Sequence, residues 1–317
     1  MSNNTKPSRR QFLGTAGLVG AGAVLASCAP SMAAPAKDNL DVAVLNFALN
    51  LEYLEAAFYL AAVGRLGELD GIGGSAEIIL PTGTNSQQKA FTTQARDGKG
   101  MTFAIPAIKG YADEIAQDEI NHVLFLRKAL GAAAVARPVL DIGPAFANAA
   151  KAATGSDGAL KFSPYDAEPS SDLYFLHGAF IFEDVGVTAY KGAAILLTDD
   201  KPNGVLDSAA GILSIEAYHA GQIRTILYAN RASQTGFGVD VATLIQKISD
   251  LRGKVGGGKD QGITSDGTAT GKANINPTDA NSIAFGRTTR EVLNIVYLGG
   301  TDKGGFFPNG LNGAITK

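Results

Sequence analysis

A chain of 317 residues can hold one large domain with decorations or two small ones. Its 45% hydrophobic and 18% charged content excludes a disordered chain, because there is ample apolar material for a core. A formal charge of −3, with no basic cluster or recognition motif, excludes nucleic acid as a partner.

Residues 1–36 read as a targeting segment and stand outside the fold. "SRRQFLG" (Ser8 to Gly14) matches the twin-arginine export pattern, followed by a Gly/Ala-rich run to Ala26 that is too short for a good membrane span. "LASC" (Leu25 to Cys28) has the form of a bacterial lipobox, whose cysteine becomes the lipidated first residue. Cys28 is the sole cysteine of the sequence. Two readings stay open: lipidation at Cys28, or ordinary cleavage after Ala34 or Ala36. Either way the expected location is outside the cytoplasm, periplasmic or lipid-anchored at the cell envelope. Without residues 1–27 the chain keeps 24 basic against 30 acidic residues, a net charge near −6. No cysteine remains to form a disulfide, so the exported fold must rely on core packing or on a metal.

Four long helices follow in chain order, marked by 3.6-residue periodicity and by punctuation. The first runs from about Asp41 to Leu66 and stops at Gly67. The second runs from Pro106, suited to a first helical turn, to Leu130 before Gly131. The third begins after Ser171, reads "DLYFLHGAFIFEDVGVTAYKGAAILL", and breaks at "TDDKPNG". The fourth runs from about Val205 to Arg231. Helices of about 25 residues, nearly 40 Å long, predict an all-α four-helix bundle over residues 37–232. Roughly seven residues join the third and fourth helices, which makes them antiparallel neighbours. Long insertions follow the first and second helices, the former with a short strand or helix, the latter long enough for a crossover. Residues 233–317 contain one more helix, "VATLIQKISDLRGKV", a Gly-rich loop, and a short helix opened by a capping box of Thr288 and Glu291. So Gly-rich a stretch makes a poor independent core and is expected to pack on the bundle as an appendage.

Within "QDEINHVLFLRKALG" (residues 117–131), Glu119 and His122 interrupt an apolar side supplied by Leu124, Phe125, Leu126 and Leu130. "SIEAYHAGQIRTIL" (residues 214–227) repeats the pattern with Glu216 and His219, so two of the three histidines occur in one arrangement. The other two helices share a different one: Glu52 precedes Tyr59 by seven residues, and Glu183 precedes Tyr190 by seven. Arg127 and Arg224 each stand five residues beyond their histidine. The first two helices thus form a unit that the last two repeat, as an ancient duplication of a helix pair would leave it.

Side chains at i and i+3 lie 60° apart around a helix, and i+7 returns to within about 20° of i. Each Glu-x-x-His therefore presents both groups to one spot, and each Glu and its Tyr share one face. Four such faces bring four carboxylates and two imidazoles into the bundle interior. Uncompensated, four buried anions cost more than a domain's net stability of about 5–15 kcal/mol. Two divalent cations neutralise them, which gives Glu52, Glu119, His122, Glu183, Glu216 and His219 as candidate ligands of two metal ions, iron or manganese. Glu55 shares much of the face of Glu52, but the match to Glu183 and Tyr190 favours Glu52. Tyr59 and Tyr190 are either core packing or hydrogen-bond donors at the site. Asp118 and Glu114 fall on a solvated face, and His177 lies about 120° around the helix from Glu183, away from the ligands. Arg127 and Arg224 either pair with ligating carboxylates or are ordinary helix-end arginines.

"NFALNLEYLEAAFY", "DEINHVLFLRKALG", "FEDVGVTAY" and "REVLNIVYLGGTDKGGFFPNGLNG" resemble the ferritin-like proteins related to the desiccation-related protein of resurrection plants, over nearly the whole mature chain. Over the four helices the spacing is also similar to rubrerythrin-type di-iron proteins. The resemblance implies a ferritin-like four-helix bundle, the six ligands above, and a role in stress. It departs from rubrerythrins in lacking a Cys-x-x-Cys electron-transfer module. Two functions follow as expectations. One is a dinuclear redox protein acting on a small-molecule oxidant or metal ion: peroxide, dioxygen or ferrous ion. The other is a non-catalytic stress protein on the same scaffold, its metal structural. A homo-oligomer is compatible with both, but the appendage and the lipid anchor work against a closed storage cage.

Overall fold

A computed structural model of the chain describes residues 37–82, 86–166 and 171–317. The twin-arginine segment and Cys28 lie outside the described residues. Four long helices are present, α1 (Lys37–Val63), α3 (Pro106–Leu130), α5 (Ser171–Ala194) and α6 (Val205–Ala229). Shorter ones lie between and after them: α2 (Ser86–Gln94), α4 (Pro144–Thr154), α7 (Val241–Val255) and α8 (Thr289–Val296). This is the all-α architecture expected. α1 packs most extensively on α3, and α5 on α6, so the two sequence units are also the two packing units.

The four helices differ in how they meet solvent. α3 and α6 are amphipathic: Ile115, Ile120, Val123 and Leu126 line the buried stripe of α3, and Ile212, Ile223 and Leu227 that of α6. Glu119 and His122 fall within the first stripe, and Glu216 and His219 within the second. α1 is buried all round, every residue from Asn46 to Val63, and α5 nearly so. A helix that is apolar on all sides needs covering on all sides. The insertions and the C-terminal region supply that cover.

The insertions carry two short strands, β1 (Ile78–Ile79) and β2 (Leu140–Asp141), paired in parallel with Ile78 opposite Leu140. α4, which the sequence pattern does not announce, starts at Pro144 after Asp141 Oδ1 has accepted from the amides of Gly143 and Ala145 at 2.9 and 3.0 Å. Its Phe146 reaches Phe58 of α1, whose ring also stacks on Phe175 of α5 at 5.5 Å. Burying one such phenylalanine contributes about 1.5–3 kcal/mol, so this cluster fixes the insertion firmly to α1 and α5.

The C-terminal region is held from inside by charge. Asp184 Oδ2 accepts from Arg224 and from Arg252, each at 2.8 Å; Asp260 accepts from Arg252 at 2.8 Å and Arg287 at 2.7 Å. All five groups are buried or nearly so. Arg224 also donates to the carbonyls of Gly262 and Asn274 at 2.6 Å and Ile275 at 2.8 Å, which gives the Gly-rich loop a defined path. Gly192 of α5 allows the closest approach: a Cβ there would lie 1.8 Å from the carbonyl oxygen of Arg287. The expected capping box is formed, with Thr288 and Glu291 each accepting from the other's amide at 3.3 and 2.7 Å.

Candidate metal centre

The inward faces of α1, α3, α5 and α6 converge on two groups of potential ligands. Glu52, Glu119, His122 and Glu216 form the first; Glu119, Glu183 and His219 form the second. All are buried, and Glu52, Glu119 and Glu216 have no exposure at all. Glu119 belongs to both groups, one oxygen to each. Its Oε2 lies 3.6 Å from His122 Nδ1 and its Oε1 3.2 Å from His219 Nδ1. The remaining separations are 3.2 Å from His122 to Glu52, 3.7 Å to Glu216, and 3.5 Å from His219 to Glu183. Glu55, buried one turn beyond Glu52, joins neither group.

These distances suit a shared metal better than direct hydrogen bonding. Two donors each about 2.1 Å from one ion lie about 3.0 Å apart at a right angle and about 3.4 Å at a tetrahedral angle. Both oxygens of Glu119 and of Glu216, Oε2 of Glu183 and Nδ1 of His219 are buried with no hydrogen-bond partner. Leaving so many polar atoms unsatisfied costs about 1–3 kcal/mol apiece, more where they are charged. Carboxylate oxygen and imidazole nitrogen are the donors iron and manganese accept. The residues therefore fit a pair of such ions.

The titration of the metal-free cluster points the same way. Burial lifts Glu52 to about 7 in spite of the opposing pull of His122. Burial, then the charge of Glu55 and Glu119, drives Glu216 well above the carboxylate range; Glu55 rises through burial and through Glu119 and Glu183. Glu183 rises too through burial, and Glu119 alone of the five carboxyls is lowered: burial works against it, but contacts with His122 and His219 prevail. Burial would depress His122, yet the charge of Glu52 and its contact with Glu119 push it up to about 12. His219 is likewise raised, by Glu183 and Glu119 against burial. Without metal, then, the imidazoles carry protons at neutral pH, which incoming cations displace.

The tyrosines act across the bundle. Tyr59 of α1 donates its hydroxyl to Glu183 of α5, and Tyr190 of α5 to Glu52 of α1. Each of these candidate ligands is thus oriented by the opposite helix, not by the residue stacked seven positions along its own. Burial holds both phenols well above their ordinary range, so they remain donors. Gly186 stands where the duplicated pattern has Glu55, three residues after the helix's ligand. A Cβ there would lie 2.1 Å from Glu216 Oε2, so this glycine leaves the space that Glu216 occupies.

Several positions differ from the sequence expectation. Asp118 is not simply on a solvated face: its Oδ2 sits 3.1 Å from His219 Nε2. A proton on Nε2, donated to Asp118, leaves Nδ1 free to face the cluster, the usual outer support of a ligating histidine. Glu114 is exposed, as expected. Neither arginine pairs with a ligand: Arg127 donates to Tyr53 at 2.7 Å, and Arg224 holds Asp184 and the Gly-rich loop. Leu124 and Phe125 are 48% and 43% exposed rather than part of the core side of α3.

His177 keeps apart from both groups and is fully buried. Burial pushes its imidazole down from 6.5 to about 4, and the carbonyl of Leu173 offsets little of that. Between those values the unfolded chain accepts a proton that the native state refuses. Stability present above pH 6.5 is therefore lost as pH falls towards 4, by about 3 kcal/mol for this group. Urea unfolding of the wild type and His177→Leu between pH 4 and 7 should show that difference between them. Parallel pH profiles would refute it.

Comparison with known proteins agrees with this geometry. The family described as ferritin-like domain matches residues 40–229, which take in nearly the whole of the four long helices and every candidate ligand. A ferritin-like catalase, Nec2, from Nesocodon mauritianus is 28% identical over 303 residues, covering 92% of this chain and 90% of its own. Desiccation-related protein PCC13-62 from Craterostigma plantagineum is 31% identical over 287 residues, covering 86% of this chain and 83% of its own. No solved structure shows significant similarity to the chain.

Proposed function

Because this chain belongs to the ferritin-like domain family, we propose that it holds a dinuclear iron or manganese centre and disproportionates hydrogen peroxide in stress protection. The observation that carries the proposal is the pair of buried donor groups joined through Glu119. The first group would hold one ion through Glu52, His122 and Glu216, the second the other through Glu183 and His219. When bound, the metal pair supplies the two-electron change by which one peroxide is oxidised to dioxygen and another is reduced to two waters. The chain's own part is to fix the donors. Tyr190 and Tyr59 hold Glu52 and Glu183 through their hydroxyl protons, and Asp118 sets the tautomer of His219. They are positioning residues.

Disproportionation is favoured over reactions needing a separate reductant because peroxide serves as both donor and acceptor of electrons. The only cysteine is Cys28, so no thiolate relay can feed electrons to the core. The relative named as a ferritin-like catalase supports the activity, and the one named as desiccation-related supports the stress setting. Export by the twin-arginine route, with Cys28 the point of lipid attachment, belongs to the same proposal and rests on "SRRQFLG" and "LASC". Fractionation of Arg9→Lys/Arg10→Lys tests it: an unchanged envelope fraction would overturn export.

A second reading, in which the metals only brace the bundle, is favoured by the complete burial of Glu52, Glu119 and Glu216. Protein purified without chelators and loaded with manganese or iron separates the two in an oxygen electrode. Catalysis should release one dioxygen for every two peroxides consumed. Full metal occupancy with no dioxygen evolved would leave the bracing reading standing.

A further inference from the structure

The buried centre raises the question of how a gas leaves it, and the C-terminal region answers. Between α4, α5 and α7 lies an apolar chamber with room of about 50 Å³, into which Ala150, His177, Phe237 and Ile248 project. Its rim reaches the exposed Ala152. A second chamber of about 20 Å³ lies between α1, α5 and α8, bordered by Leu54, Glu55, Val185 and Gly186. The two have three walls in common, Ile181, Ile295 and Phe306, so they lie side by side with these side chains between them. The inner one reaches Gly186, whose missing side chain makes room for Glu216, so only that glycine's backbone stands between the chamber and the nearest candidate ligand.

The lining decides what can travel there. A void needs about 10–15 Å³ to hold one water-sized molecule, so the inner chamber takes one small molecule and the outer a few. Of the polar groups that line the two chambers, Arg252 is taken up by Asp184 and Asp260, His177 is kept uncharged at neutral pH by its burial, and Glu55 stands as a buried carboxyl on the wall of the inner one, the rest of the lining being apolar. Water or peroxide entering such a lining gives up hydrogen bonds at a cost of several kcal/mol. Dioxygen has none to lose.

Resting on the peroxide reading above, we infer that these adjoining chambers are an exit for the dioxygen made at the centre. The appendage thereby acquires a role, since α7 and α8 roof a conduit that the four-helix bundle alone would lack. Ile295, on α8 and far in sequence from every candidate ligand, borders both chambers, and Ile295→Phe should fill the space where they adjoin. Ala150→Leu, which fills the outer chamber instead, is the second variant should the first fail to fold.

The test uses the metal-loaded chain under xenon pressure, with xenon standing in for dioxygen, and dioxygen evolution measured on the same preparations. Wild-type crystals should show xenon in both chambers. Ile295→Phe should lose the inner site while keeping the outer one beside Ile248. Its turnover at saturating peroxide should fall several-fold, with kcat/KM for peroxide and metal content unchanged. Absence of xenon from the inner chamber of the wild type would overturn the inference, as would undiminished turnover in a variant that excludes it. A loaded wild type that binds xenon in both places and evolves no dioxygen would instead sink the peroxide reading, and the exit with it.

Discussion

Glu119→Gln should cost the protein both of its metal ions at once, whereas Glu183→Gln should cost it one. Glu119 faces His122 with one carboxylate oxygen and His219 with the other, so its loss removes a donor from both groups. Glu183 belongs to the second group only. Mass-spectrometric elemental analysis of protein prepared without chelators should find about two iron or manganese atoms per wild-type chain. It should find near zero after Glu119→Gln or the double change Glu119→Ala/His122→Ala, and about one after Glu183→Gln. Dioxygen evolution should drop to the level of free metal in buffer in every case, because a two-electron exchange needs both ions. The glutamines keep the volume and most of the packing, so the variants should fold. Equal metal content in wild type and Glu119→Gln would show that the cluster is not a metal site at all.

The convergence of the six candidate ligands is legible in the sequence because it is written in helical spacing. Glu119 with His122, Glu216 with His219, and the Glu-to-Tyr spacing of α1 and α5 each concern one helix, where 100° per residue fixes which side chains share a face. What one helix owes another is not written that way. Tyr59 serves Glu183 and Tyr190 serves Glu52, across 124 and 138 residues of sequence, and the spacing shows only that each shares a face with its own glutamate. Asp118 looks solvated for the same reason, since His219, 101 residues away, is what covers it. Arg224 is the extreme case: its partners include the carbonyls of Gly262, Asn274 and Ile275, and backbone oxygens leave no mark in a sequence. The Gly-rich loop therefore reads as slack while its path is fixed by a guanidinium. α4 is missed because "PAFANAAKAAT" is short and alanine-rich, and Phe146 is the one large side chain among the residues it buries.

That guanidinium cluster is where the largest loss of stability should follow from a single change. Asp184 is one residue beyond the ligand Glu183, faces away from the metal cluster, and accepts from both Arg224 and Arg252. Asp184→Ala leaves two buried arginines without that carboxylate, although Arg252 keeps Asp260 at 2.8 Å. Removing one partner of a buried pair costs about 3–5 kcal/mol, and here one residue serves two pairs, so the upper end applies. Against a net stability of about 5–15 kcal/mol, the variant should stand near the edge of unfolding. Asp184→Asn keeps the shape and an acceptor oxygen and should lose less. Replacing the cluster by apolar residues, a change that is often neutral for a simple buried pair, should fail to restore stability here, because Arg224 also serves the carbonyls of the Gly-rich loop. Urea unfolding measures the loss, and amide hydrogen exchange shows where it falls. Exchange should quicken first over residues 256–288, which the arginines hold, and only later in α3. Uniform exchange across the chain, or a loss below about 1 kcal/mol, would mean that the loop carries itself and the arginines merely decorate it.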